Sequence, residues 1–161
     1  MAKPTRAYVD TSVIGGAEDE EFQDASRRLL TQVRQGKFVL VVSTLTLREL
    51  AQAPEAVRQV LGKLPPGCIE EVPAQVEQQA DELAALYVSA GVLGPARLDD
   101  ATHVAIATLA GADLILSWNF RHIVNVIKIG QFNRVNAAHG HPEIDIRSPL
   151  EVIYGDEDED L

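Results

Sequence analysis

The chain reads as an α/β protein, with a parallel sheet covered by helices on both faces. Three observations carry this reading. The runs Ala7 to Val9, Phe38 to Val42 and Leu114 to Leu116 are apolar at every position, as strands buried on both faces are. Helical periodicity separates them, so strand and helix alternate. The third run follows Ala101 to Ala110, a nearly continuous apolar stretch without Gly or Pro, the pattern of a helix buried over most of its surface.

Taken in order, Ala7 to Val9 is a strand ending at Asp10, with Thr11 and Ser12 next and Gly15 and Gly16 loosening the chain. The acids Glu18 to Glu21 suit a helix N-terminus, and Phe22, Ala25, Leu29, Leu30 and Val33 supply its apolar stripe before Gly36 ends it. After the strand Phe38 to Val42, Thr44 reads as a helix cap that puts Glu49 just over one turn into the helix. Pro54 restarts a short helix through Leu61. Leu64 to Gly67 is a turn, and Cys68 to Val72 is a less apolar strand nearer an edge.

A long helix then runs from Pro73 and Ala74 to about Ser89, with Val76, Ala80, Leu83, Leu86 and Tyr87 inward, and Gly91 to Arg97 is a loop. Gly111 stops the buried helix. Asp113 leads into the strand Leu114 to Leu116, and Ser117, Trp118 and Asn119 stand at its carboxyl end, where open α/β sheets keep their chemistry. Phe120 to Ile129 alternates basic and apolar residues and reads as a short helix. Ala138 to Pro142 is a loop, Ile144 to Ile146 a final strand, and Ser148 to Glu151 a turn into a short helical or extended segment.

At 161 residues the chain is long enough for one domain with a substantial core, expected over residues 1–155, with 156–161 an acidic disordered tail. Net charge is −10, and half of that excess lies in Asp156 to Asp160. The basic footprint of a non-catalytic nucleic-acid binder is missing. A metal-dependent nuclease is less affected, because cations can supply the positive charge. The single cysteine, Cys68, excludes an internal disulfide and a thiolate metal cluster. No apolar run approaches the roughly 18 residues of a membrane span, and no signal-peptide core precedes the first strand. The expectation is a cytoplasmic protein without membrane association.

Three carboxylates stand out: Asp10 at a strand end, Glu49 early in a helix and Asp100 at the head of the buried helix. If the strands are parallel neighbours, all three meet at one sheet edge, joined by Asn119. Like charges raise one another's pKa, and a divalent cation relieves that. All-oxygen ligation suits Mg²⁺ or Mn²⁺ better than Zn²⁺. The alternative is a set of separate helix caps and strand-end acids.

With these motifs the chain resembles PIN-domain ribonucleases, of the sort found as toxins of VapBC-type toxin–antitoxin pairs. The resemblance covers nearly the whole chain and rests on VDTSVIGG at Val9 to Gly16, the strand exit Ser43 to Glu49, DATHVAIA at Asp100 to Ala107 and ADLILSWNF at Ala112 to Phe120. Each is weak alone, and their order and spacing make them strong. The resemblance implies a three-layer α/β/α sandwich around four or five parallel strands. It also implies an acidic pocket holding one or two Mg²⁺ or Mn²⁺ ions, and hydrolysis of RNA that leaves 5′-phosphate and 3′-hydroxyl ends.

Carried over by position, Asp10 is the central ligand, Glu49 the second acid and Asp100 the third, with Asp99 as a helix cap or outer group. Many relatives end the last strand Thr-x-Asp, and here Asn119 takes the fourth acid's place. An uncharged ligand there weakens a second ion and favours a one-metal mechanism or reduced activity. The resemblance further implies a homodimer and an antitoxin that buries a segment, commonly presenting an Arg, in the acidic groove.

The remaining candidates are supporting ones. Thr11, Ser12 and Ser117 either orient Asp10 or cap turns. His103 reads first as a packed, hydrogen-bonded histidine, and His139 and His141 as exposed loop residues. Arg48, Arg121, His122 and Lys128 are the cations available for RNA phosphates. Trp118 either stacks on a base or is buried under the final segment. A haloacid-dehalogenase-like phosphatase would want Asp at position 12, which is Ser12, and no GxGxxG or Walker loop is present. A non-catalytic RNA-binding or protein-interaction module on the same fold is the competing class.

Overall fold

A computed structural model describes residues 3–153. The expected acidic tail at 156–161 lies outside the described residues. Five parallel strands form one sheet in the order β3-β2-β1-β4-β5: β1 (Thr5–Val9), β2 (Phe38–Val42), β3 (Ile69–Glu71), β4 (Leu114–Leu116) and β5 (Ile146–Arg147). Helices cover both faces, giving the α/β/α sandwich. The alternation of strand side chains assigns the faces. Tyr8, Val41 and Ile115 join one core with α5 (Ala74–Ser89), α6 (Leu98–Leu109) and α7 (Val126–Ala138). Ala7, Val9, Leu40, Val42, Leu114 and Leu116 join the other with α1 (Thr11–Gly16), α2 (Gln23–Arg34) and α4 (Glu55–Arg58). Leu45 and Leu50 of α3 (Thr44–Ala51) reach one core each, so that helix wraps the carboxyl edge of the sheet.

The chain runs β1, β2, β3 outward on one side and then returns to lay β4 and β5 on the other. The strand order therefore reverses between β1 and β4, and the crevice beyond their carboxyl ends is the topological switch point. Gly111 permits the return: it follows α6 with φ +67°, a left-handed turn that a side chain would strain.

Several sequence expectations are corrected, some of them by a local hydrogen bond. The segment after Asp10 is a short helix, not a loosened chain, because Asp10 Oδ1 accepts the Val13 N–H at 3.3 Å. The acids Glu18 to Glu21 lie in turns ahead of α2, and only Asp24 occupies its first turn. Ser43 rather than Thr44 caps α3: Ser43 Oγ accepts the Thr46 N–H at 3.1 Å, while the Thr44 hydroxyl donates to Glu77 at 2.8 Å. The helix after Pro54 is only Glu55–Arg58, continued by a 3₁₀ turn at Leu61–Lys63.

The buried helix starts at Leu98, with Arg97 at its cap position, so Asp99 is an exposed first-turn residue and not the cap. The helix expected from Phe120 instead begins at Val126, where Asn125 Oδ1 accepts from Ile127 and Lys128. The last strand is Ile146–Arg147. Ile144 is drawn away by Asn133, whose amide bonds both its N–H and its carbonyl. Ser148 and Glu151 then form a capping box opening α8 (Pro149–Val152).

Candidate active site

Asp10 leaves the end of the central strand directly into the switch point and is 5% exposed. Three donors hold its carboxylate. Ser12 Oγ donates to Oδ1 at 2.6 Å alongside the Val13 N–H, and Ser117 Oγ, from the end of β4, donates to Oδ2 at 2.6 Å. Burial nevertheless pushes the Asp10 pKa up, against the charge of His103 and these donors, which push it down.

Glu49 lies one turn inside α3, with its side chain about one-third exposed (35%). Oε1 accepts from Thr11 Oγ1 at 3.0 Å and from His103 Nε2 at 2.5 Å. The His103 bond holds the Glu49 pKa below its ordinary value, more than partial burial raises it. Asp100, in the first turn of α6, is half-buried. Burial pushes its pKa up and the Asp10 charge adds to this, while His122, His103 and Arg97 oppose it.

The fourth position, Asn119, is partly buried, and its Oδ1 accepts the His122 N–H at 2.9 Å in the turn after β4. Its own N–H donates to Ser117 Oγ at 2.9 Å. Trp118 between them is buried. It stacks on Phe22 with ring centroids 4.4 Å apart, and its Nε1 donates to Ser26 at 2.9 Å. Base stacking by Trp118 is thereby corrected. The indole is core, and a side chain at Gly16 would collide with it and with Ser26.

Among the cations, Arg121, Lys128 and also Arg97 act on His122, and of these groups His122 and Arg97 act on Asp100. Lys128 is partly spent, its Nζ donating to the Val92 carbonyl at 2.6 Å. Arg48 is exposed and lines a groove of about 310 Å³ with Thr44, Glu77 and Asp81. His139 is exposed, and His141 is partly buried.

Sequence reasoning missed two contributors. Tyr8, read only as a core strand residue, places its OH 2.7 Å from His103 Nδ1 and 2.7 Å from Ser43 Oγ. A fully buried phenol needs a polar partner, which was the available signal. Arg97, read as loop, sits one turn before Asp100.

The donor set fits a hard divalent cation in kind: it is all oxygen, and it includes a buried carboxylate that a cation would relieve. It does not close around one. Among the described residues no three His, Cys, Asp or Glu side chains converge as a metal site. Asp10 Oδ1 already accepts two hydrogen bonds, which leaves Asp10 Oδ2, Glu49 Oε2 and the Asp100 oxygens with capacity to spare. No helix of the described residues is long and apolar enough to cross a membrane.

No protein-family model and no curated protein sequence matches the chain. Solved structures do. A chain of VapBC2 from Rickettsia felis, crystallised bound to a DNA fragment from its promoter, superposes with a TM-score of 0.55 at 13% identity, covering 89% of this chain and 98% of that one. VapC20 from Mycobacterium tuberculosis, a sarcin–ricin loop cleaving toxin, matches at 20% identity over 86% and 98% with a TM-score of 0.46.

Proposed function

From the PIN-like fold that the chain shares with VapBC toxins, we propose a PIN-fold module of weak metal-dependent ribonuclease activity, its acidic pocket engaged with its own side chains. One observation carries the weakness: among the described residues no three His, Cys, Asp or Glu side chains, Asp10, Glu49 and Asp100 included, converge on a common metal position. A bound Mg²⁺ or Mn²⁺ would neutralise charge on a scissile phosphate and acidify water. The chain's own residues do the rest. Ser12 and Ser117 donate to the buried Asp10, Thr11 and His103 orient Glu49, and Arg97 offers positive charge beside Asp100 for an RNA phosphate, with His122, its pKa lowered, next to it as a hydrogen-bonding group. Asn119, with its oxygen turned to His122, adds no charge, which favours a single ion.

The test combines Mn²⁺ calorimetry with cleavage of a mixed RNA pool. Weak Mn²⁺ binding and slow cleavage, both lost in Asp10→Asn, are expected. Equal cleavage by both proteins means the site is misassigned.

A second reading, a protein-interaction module without catalysis, draws on charge. The protein is acidic overall, and Leu98 and Phe120, about half exposed, adjoin Asp99 and Asn119 in sequence. A basic antitoxin segment would suit such a surface. Tight capture of an Arg-bearing peptide, with no cleavage under any metal, selects this reading. The homodimer is checked by light scattering on the purified chain.

A further inference from the structure

His103 sits on α6 one turn beyond Asp100, is 3% exposed, and is engaged at both ring nitrogens. Nε2 meets Glu49 Oε1, and Nδ1 meets the Tyr8 hydroxyl, against which the ring also packs with centroids 5.8 Å apart. The Tyr8 hydroxyl in turn meets Ser43 Oγ, the group that caps α3. Since α3 carries Glu49, these bonds close a loop from the start of the helix, through the central strand and the buried helix, back to its carboxylate.

The directions of the bonds are constrained. Burial keeps the Tyr8 phenol protonated, so it has one proton to give. A carboxylate only accepts, so Nε2 is the donor at the His103–Glu49 contact, whichever of His103 Nδ1 and Ser43 Oγ takes the Tyr8 proton. Glu49 is partly exposed on a flexible stem, and without such a bond it would sample several rotamers. A buried polar ring on a mostly apolar helix needs both partners.

We infer that His103, oriented by Tyr8, is the positioning residue for Glu49, fixing Oε1 so that Oε2 is offered to a ligand in one orientation. The inference rests on the reading of Glu49 as a pocket carboxylate, and its test separates the two. In cation-free protein at neutral pH, long-range ¹H–¹⁵N spectra, assigned with His103→Gln, should show His103 protonated at Nε2. In Tyr8→Phe that signal should lose its single sharp position. An unprotonated Nε2 in the wild type overturns the inference, whatever the metal chemistry.

In Mn²⁺ calorimetry, His103→Ala should weaken binding about 10-fold or more, as loss of an orienting partner does. His103→Gln, which keeps an N–H donor, should recover part of the loss. The double variant His103→Ala/Glu49→Gln should bind no more weakly than Glu49→Gln alone. Losses that simply add, or a folded His103→Ala that binds as well as wild type, show that the ring acts only in packing and overturn the inference. A wild type that takes up no Mn²⁺ ends the metal reading of the pocket and leaves the spectra to decide the positioning.

Discussion

Asp10 and Glu49 follow two paired strands and both feel His103, yet the protein treats them in opposite ways. Asp10 is clamped by two serine hydroxyls and an amide at the bottom of the switch point, and burial drives its pKa up in spite of them. Glu49 stands at the rim, and one strong bond from His103 drives its pKa down. One charge is held at a cost to stability and the other adds to stability. Neighbouring acids with diverging pKa values are the usual mark of a division of labour. Here the difference comes from desolvation at one site and from oriented donors, His103 foremost, at the other.

The largest way to break this contrast is to remove the wall behind Asp10. Trp118 pins the end of β4, which carries Ser117, through its stack on Phe22 and its bond to Ser26. Trp118→Ala should cost about 3–5 kcal/mol, the range for a buried Trp truncation, read by denaturant unfolding. Any residual nuclease activity should fall with it, because Ser117 loses its fixed position.

Substituting the carboxylates themselves gives smaller effects of opposite sign. The folded-state pKa of Asp10 is raised, so ionisation is harder in the folded than in the unfolded chain. Stability from this group is present at low pH and lost as pH rises from the unfolded carboxylate value through the folded one. Asp10→Asn should therefore raise the melting temperature of cation-free protein at neutral pH, with the gain shrinking as the solution is acidified toward pH ~4. For Glu49 the sign reverses. Its pKa is depressed, so its contribution is present at neutral pH and is lost as pH falls through the folded value. Glu49→Gln should destabilise by about 1 kcal/mol at neutral pH, the low end for a charged hydrogen bond because Glu49 is partly exposed. Melting curves of both variants across pH that move in the same direction would refute the contrast.

How much of this was legible beforehand follows from which forces wrote it. The strands and the buried helix were legible because apolar periodicity is a local signal, and so were the places of Asp10 after a strand and Asp100 in the first turn of a helix. The helix starts were misplaced wherever one side chain chose between two adjacent roles. Ser43 and not Thr44 caps α3, and Asn125 opens α7 well after the expected start at Phe120. Least legible were contacts between distant segments. Nothing local tells Tyr8 from Tyr87 as the partner of a histidine 95 residues away. Nor does Asn119 announce that its oxygen will close a turn on His122.

The smallest predicted effects sharpen the comparison most, because they divide two adjacent residues between the two acids. Thr11 donates to Glu49 at 3.0 Å, whereas Ser12 donates to Asp10 at 2.6 Å and also accepts the Trp118 N–H at 2.9 Å. Thr11→Val keeps the shape and removes one of two donors to a partly exposed carboxylate. It should cost about 0.5 kcal/mol and let the Glu49 pKa climb slightly toward its ordinary value. Ser12→Ala strips a donor from an already strained buried charge and leaves a backbone N–H without its acceptor. It should cost about 1–2 kcal/mol at neutral pH, and less in acid, where Asp10 is neutral. Carbon-detected NMR titration of the two carboxyl groups reads the division directly. Thr11→Val should move Glu49 alone, and Ser12→Ala should push Asp10 further up. A variant that moves both acids equally would mean that the pocket titrates as one coupled unit, not as two separately built walls.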